Sequence, residues 1–230
     1  MEAKKFREEC AALEGGMTNV DDIRPIRDGV INIDKYLNAR YKILWILKEP
    51  YDNIVEGKSG GWSVTDGLNN KKSHKDFKGE RATFIPMIYI SYGILNGFIS
   101  MKDIPNIKDE EVFQTLKSIA YINIKKLPGT STSDSKIIAS AYKNNKELLK
   151  RQIDTYNPDI IIGGGTLNYF LQDIDLKDEH RLQSAQDKYY VKDGKLYIKN
   201  HHPAFRPTKG FSKEDYINQS IKAAKEWSEN

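Results

Sequence analysis

Four stretches of the sequence carry residue types that do chemistry, and each closes or follows a short apolar run. Glu49 follows Tyr-Lys-Ile-Leu-Trp-Ile-Leu at 41–47, and Asn123 sits in Ile-Ala-Tyr-Ile-Asn-Ile at 119–124. Gly163-Gly164-Gly165-Thr166 follows Asp-Ile-Ile-Ile at 159–162, and His201-His202 follows an alternating run at 195–200. A carboxylate can stabilise a sugar cation and orient water, an imidazole can stabilise a departing group, and a glycine turn lets backbone approach an anion. Together the set suits hydrolysis of a glycosidic bond in a polyanion. Each residue alone has an ordinary reading: a turn carboxylate before Pro50, a structural amide, a tight turn, satisfied surface histidines. The hydroxyls of Thr130, Ser131, Thr132 and Ser133 read as helix caps. Placement at four successive run ends is what lifts the group above its members.

Other chemistries fit less well. Cys10 is the only cysteine, which excludes an intramolecular disulfide framework, a cysteine-held zinc site and an iron–sulfur cluster. Adjacent histidines on an extended segment point to opposite sides and make a poor metal pair. No G-x-S-x-G elbow is present, and the glycine run is neither G-x-G-x-x-G nor a Walker loop. No metal and no organic cofactor is therefore expected. Lys and Arg number 36 against 32 Asp and Glu, a net charge of +4 that permits a polyanionic partner without demanding one. No apolar run approaches a membrane span, and the start lacks a signal-peptide core, so no membrane partner and a cytoplasmic protein are expected.

The elements that must position these residues follow from periodicity. Phe6, Cys10 and Leu13 make a helical stripe, and the 41–47 run is short and β-rich enough for a buried strand. Residues 52–80, rich in Gly, Ser, Asn and Lys, read as one long loop, which is uncommon unless it binds something. Helices are predicted over 82–95, 109–117 and 134–156, the last turning Ile137, Ile138, Ala141, Leu148, Leu149 and Ile153 to the core. Strands are predicted at 119–124 and 159–162. Asp193-Gly194 marks a hairpin over 188–200, and Ser212 with Asp215 forms a capping box for a final helix bearing Ile217, Ile221, Ala224 and Trp227. With helices between the strands, the expectation is an α/β fold with a central, mainly parallel, four-stranded sheet and one antiparallel hairpin arm. One domain spanning 1–230 is expected, since no linker or repeat divides the chain. In such sheets ligands sit at the carboxyl ends of the strands, where Glu49, Asn123, 163–166 and 201–202 all fall.

The order of these motifs resembles the uracil-DNA glycosylase superfamily over roughly 36–227, in a branch without the iron–sulfur cluster. The first strand's Leu47-Lys-Glu-Pro-Tyr-Asp52 is similar to the family's G-Q-D-P-Y-H or G-E-x-P-G loop. The resemblance puts Glu49 in the place of the water-positioning aspartate and Tyr51 beside the pyrimidine C5 edge. It makes Asn123, before Ile-Lys-Lys-Leu-Pro, the base-reading amide, and it makes His202 of His-Pro-Ala the group that bonds the leaving base. It also implies a three-layer α/β/α fold and a monofunctional DNA glycosylase acting on a flipped base. Leu47, Lys48 and Ala204 depart from the family pattern, as does the extra methylene of Glu49.

Further residues are carried by the same resemblance. The loop after His-Pro-Ala would supply an intercalating wedge from Phe205, Arg206 and Pro207, though Phe205 is equally a core candidate. Lys125, Lys126, Thr132, Ser133, Gly165, Thr166 and Lys209 would contact phosphate. Trp62 reads either as a stacking platform for the flipped base or as a plug pinning the 52–80 loop. That loop carries Lys58, Lys71, Lys72, Lys75 and Lys78. It reads as a basic solvated loop or as an enlarged pocket mouth, for which defence glycosylases acting on glucosylated hydroxymethylcytosine of phage DNA are a precedent. Tyr51 argues for uracil instead. The alternatives to a glycosylase are a catalytically weak module that binds modified or damaged nucleic acid, and a hydrolase of free nucleosides.

Overall fold

The computed structural model describes residues 3–20, 22–52, 59–177, 180 and 189–230. The chain runs α1 (Ala3–Gly15), β1 (Gly29–Val30), α2 (Ile33–Asn38), β2 (Ile43–Leu47), α3 (Val64–Asn69), α4 (Arg81–Leu95) and α5 (Glu110–Gln114). It continues with β3 (Ile119–Asn123), α6 (Ser135–Tyr156), β4 (Ile160–Gly164), β5 (Tyr189–Lys192), β6 (Lys195–Asn200) and α7 (Lys213–Ser228).

Strand periodicity sets the layers. Ile43, Trp45 and Leu47 of β2, Ile119 and Tyr121 of β3, and Ile160 and Ile162 of β4 share one core with Phe84, Met87 and Ile88 of α4 and Ile217 and Ile221 of α7. The alternate residues Leu44, Ile46, Ala120, Ile122 and Ile161 enter a second core with α1 (Phe6, Cys10, Leu13) and α6 (Ile138, Tyr142, Leu149). Because successive side chains of a strand point to opposite faces, unbroken apolar runs demand helices on both sides. The result is an α/β fold in three layers.

The sheet has six strands in the order β1-β3-β2-β4-β6-β5, not four. Its centre, β3-β2-β4-β6, is parallel throughout, while β1 and β5 are antiparallel edges. The strand missing from the sequence reading, β1, is two residues long and too short to show alternation. The β5–β6 turn holds Asp193 at φ 52° and Gly194 at φ 72°, the doubly left-handed pair a tight hairpin requires. Residue 188 of the expected hairpin lies outside the described residues.

Three local expectations are corrected. Residues 52–80 are not one loop: Ser63 caps α3, its hydroxyl accepting the Asp66 amide at 3.0 Å, and a 3-10 turn covers His74–Asp76 behind a Ser73 capping box. Ile137 is 54% exposed, because the buried stripe of α6 is Ile138, Tyr142, Leu149, Gln152 and Tyr156. The hydroxyls at 130–133 do not cap α6; Asp134 does, its carboxylate accepting the Lys136 and Ile137 amides at 2.7 and 3.1 Å. The box at Ser212 and Asp215 opens α7 as its spacing predicts. Among the described residues no helix is long and apolar enough to cross a membrane.

Candidate functional site

The crossover from β2 leads to β3 on one side, whereas β4 lies on the other, so the carboxyl ends of β2 and β4 flank the point where the topology reverses. Crevices form there in open α/β sheets. Glycine makes the approach of the two strand ends possible. A Cβ on Gly164 would stand 2.3 Å from Leu47 Cδ2 and 3.1 Å from Pro203 Cδ, and one on Gly163 would stand 2.7 Å from the Leu167 amide nitrogen. Gly165 follows at φ +76° and donates its amide to Asn200 O at 2.7 Å. The Thr166 hydroxyl donates to Ile46 O at 2.6 Å and the residue is 1% exposed. The groups expected at Gly165 and Thr166 to hold phosphate are thus already spent on joining β4 to its neighbours, and the turn acts as a packing device.

Glu49 leaves the end of β2 with its side chain 6% exposed and its Oε2 accepting Lys125 Nζ at 2.8 Å. Lys125 Nζ also donates to Pro128 O at 2.8 Å, so this lysine, expected on phosphate, is the partner of the carboxylate instead. Loop 124–129 is stitched to the β2 exit by Lys125 N–H to Lys48 O at 2.9 Å and Gly129 N–H to Pro50 O at 2.8 Å. A Cβ on Gly129 would lie 2.3 Å from Glu49 Cδ, so the carboxylate rests directly on that glycine's backbone. Among the described residues Glu49 Oε1 has no hydrogen-bond partner.

Asn123 pairs in register with Leu47 and is fully buried. Its backbone N–H donates to Asp28 Oδ2 at 2.7 Å, and its Oδ1 accepts the Tyr121 hydroxyl at 3.2 Å. Its Nδ2 is buried with no partner. Either orientation of the amide leaves one end unsatisfied, because Tyr121 serves only one. Beneath it lies a buried polar group absent from the sequence reading. Asp28 accepts Lys126 Nζ at 2.8 and 2.9 Å and Gln152 Nε2 at 2.9 Å, while Lys126 also donates to Gln152 Oε1 at 2.8 Å. Burial pulls the Lys126 ammonium below its usual pKa, and Asp28 opposes that. Lys126 therefore cannot be the surface phosphate contact expected of it.

His202 is half-buried, and its Nδ1 accepts the Ala204 backbone amide at 3.1 Å. The neutral ring consequently carries its proton on Nε2. Burial first, and then the charges of Lys48 and Lys213, lower its pKa to about 4. His201 instead joins an aromatic cluster, 5.4 Å from Phe205, which also meets Phe211 and Tyr216 at 5.6 and 5.0 Å. Lys213 Nζ sits 4.0 Å from the Phe205 ring centre. Phe205 is thus half-buried and packed in this cluster, as its core alternative has it, while Arg206 and Lys209 are exposed on the following turn.

The outer rim carries two exposed aromatics, Tyr51 at 58% and Trp62 at 40%. Asp52 Oδ2 accepts both Gly60 N–H at 2.8 Å and Trp62 Nε1 at 3.0 Å, anchoring the indole by its edge. Thr132 is exposed and Ser133 half-buried ahead of α6. Of the loop lysines, Lys71 is tied to Glu80 at 2.7 Å and to the Phe77 ring, and Lys58 lies outside the described residues. Among the described residues no group of three His, Cys, Asp or Glu could hold a metal ion. A separate cleft of about 400 Å³ opens at the opposite, amino end of the strands between Lys35, Arg40, Glu111 and Gln114. Its lining includes none of the candidate site residues.

The rim thus assembles a carboxylate paired with Lys125, a buried amide with one end unsatisfied and a neutral imidazole with its proton on Nε2. No family model matches the chain, and no curated protein matches it.

Proposed function

We propose that the chain is a monofunctional DNA glycosylase of the uracil-DNA glycosylase kind, acting in the cytoplasm on a flipped-out uracil or modified pyrimidine. The observation that carries this reading is the buried, unpartnered end of Asn123. Leaving such a group unmatched costs about 1–3 kcal/mol, so a fold that keeps one at a strand end favours a ligand with the complementary atom. The edge of an extruded base offers that atom. In the proposed step the C1′–N bond breaks with its electron pair passing to the base. Glu49 faces the sugar cation and orients water through Oε1, and the Nε2–H of His202 donates to the base oxygen that gains charge. Water adds hydroxide to C1′, and its proton leaves through Glu49 or solvent to the base, giving free base and an abasic site.

The test is incubation with DNAs containing uracil, hydroxymethylcytosine or glucosylated hydroxymethylcytosine, followed by mass spectrometry of released bases. Glu49→Gln and His202→Ala are each expected to lower release about tenfold or more. Unchanged release in both would remove the site assignment. The ion pair between Glu49 and Lys125 favours one second reading, a module that binds modified DNA and catalyses weakly, since the carboxylate already has a partner. DNA binding that survives Glu49→Gln, with no base freed from any substrate, would select it.

A further inference from the structure

Lys48 occupies the rim between the ends of β2 and β4, yet none of the chemistry above uses its side chain. It is half-buried, and its Cε lies 3.6 Å from where a Cβ on Gly165 would be. The His202 backbone nitrogen lies 3.7 Å from that same point, so the lysine stem and the histidine segment converge over one glycine. Gly165 leaves the space open. Among the described residues no carboxylate or carbonyl engages the Lys48 ammonium, in contrast to Lys125 and Lys126, which are both bound. A half-buried lysine whose ammonium meets no counter-charge among the described residues, set where the topology reverses, is matched to an anion supplied from outside.

We propose that Lys48 is the anion-binding residue of this site, its ammonium meeting negative charge on the ligand. The inference rests on the glycosylase reading for its ligand. Two sources share the chemistry: the departing base, which takes the electron pair of the C1′–N bond, and a phosphate flanking the flipped nucleotide. A neutral imidazole can donate a hydrogen bond to a forming base anion but adds no charge to it. Lys48 supplies that charge without a proton transfer, and its field on His202 is the second-largest reason the ring stays neutral.

Lys48→Met keeps the aliphatic stem and removes the charge, and Lys48→Arg keeps the charge. Release is compared on DNA carrying uracil or 5-fluorouracil, whose anion leaves more readily, and oligonucleotide binding is measured across salt concentrations. If Lys48 meets the base anion, Met lowers release about tenfold or more, with the larger loss on uracil, and Arg restores most of it. If it meets phosphate, both bases lose equally and the slope of log affinity against log salt falls by about one. Either result supports an anion site. Unchanged release and an unchanged salt slope in Lys48→Met would overturn it. A wild-type protein that frees neither these bases nor the modified cytosines ends the glycosylase reading alone, and the salt slope then decides Lys48 by itself. An NMR titration of the His202 ring in Lys48→Met, expected to rise above about 4, checks that the charge was removed from a folded site.

Discussion

His202 shows how one side chain is tuned by what surrounds it. The Ala204 amide fixes the tautomer from the backbone, so this contact does not depend on which side chain stands at position 204. Its folded pKa of about 4 lies below the ordinary 6.5. Above pH 6.5 the ring is neutral in both the folded and the unfolded chain. As pH falls, the unfolded chain takes up a proton that the folded one resists, so stability present above 6.5 is lost toward about pH 4. Base release should accordingly be independent of this residue's titration at neutral pH and fall as the pH drops through about 4. A pH–rate profile of the wild type beside His202→Ala checks it, and a break near 6.5 absent from the mutant would mean a solvated ring. Gly129 carries a second prediction. Its Cα supports Glu49, so Gly129→Ala must push the carboxylate off Lys125 or the loop off β2. We expect base release to fall about tenfold with the thermal midpoint little changed, measured by single-turnover assay and calorimetry.

At the level of elements, β3 and its exit loop depend on Asp28. Its carboxylate accepts the Asn123 backbone N–H, the Lys126 ammonium and Gln152 Nε2 in one buried group. Buried pairs of this kind rarely add stability over apolar residues, but breaking one strands a charge. Asp28→Asn should therefore cost about 3–5 kcal/mol in denaturant unfolding. The double change Asp28→Leu with Lys126→Met should recover most of that stability while leaving base release low, since the Asn123 backbone N–H then loses its acceptor at the strand end. Full recovery of release in the double variant would reduce the pair to a packing feature. The sequence makes the strand ends legible, because unbroken apolar runs stop abruptly at Leu47, Asn123 and Gly164, and the rim could be read from those stops. It does not make Asp28 legible. Its partners lie 95, 98 and 124 residues away, so no local spacing announces them. The same holds for Lys126, whose neighbour Lys125 has identical chemistry but faces Glu49 instead. Ile137 misled because apolar residues at 137 and 138 compete for one face, and the buried polar Gln152 chose the stripe. Phe205 carries two readings in the sequence because aromatic character alone cannot separate a wedge from a member of a cluster with Phe211 and Tyr216.

For the molecule as a whole, charge is the property that a DNA substrate would test. The net charge is only +4, so binding cannot rest on a uniformly basic surface and must draw on a few cations near the rim. Many lysines are already committed: Lys71 to Glu80, Lys125 to Glu49, Lys126 to Asp28 and Lys146 to Asp173. Arg206 and Lys209, by contrast, are exposed on the turn that follows His202. Each phosphate neutralised releases counterions and steepens the fall of affinity with salt by close to one logarithmic unit per contact. The double variant Arg206→Ala with Lys209→Ala should then flatten the salt dependence of duplex binding by about two. The single-turnover rate at saturating DNA should stay unchanged where both cations serve phosphate alone, and a fall would instead mark Arg206 as part of the wedge. Fluorescence anisotropy from low to moderate salt measures the slope. An unaltered slope would move the DNA track to the opposite side of the rim, where Thr132, Ser133, Tyr51 and Trp62 lie, and would make binding there depend on stacking more than on charge.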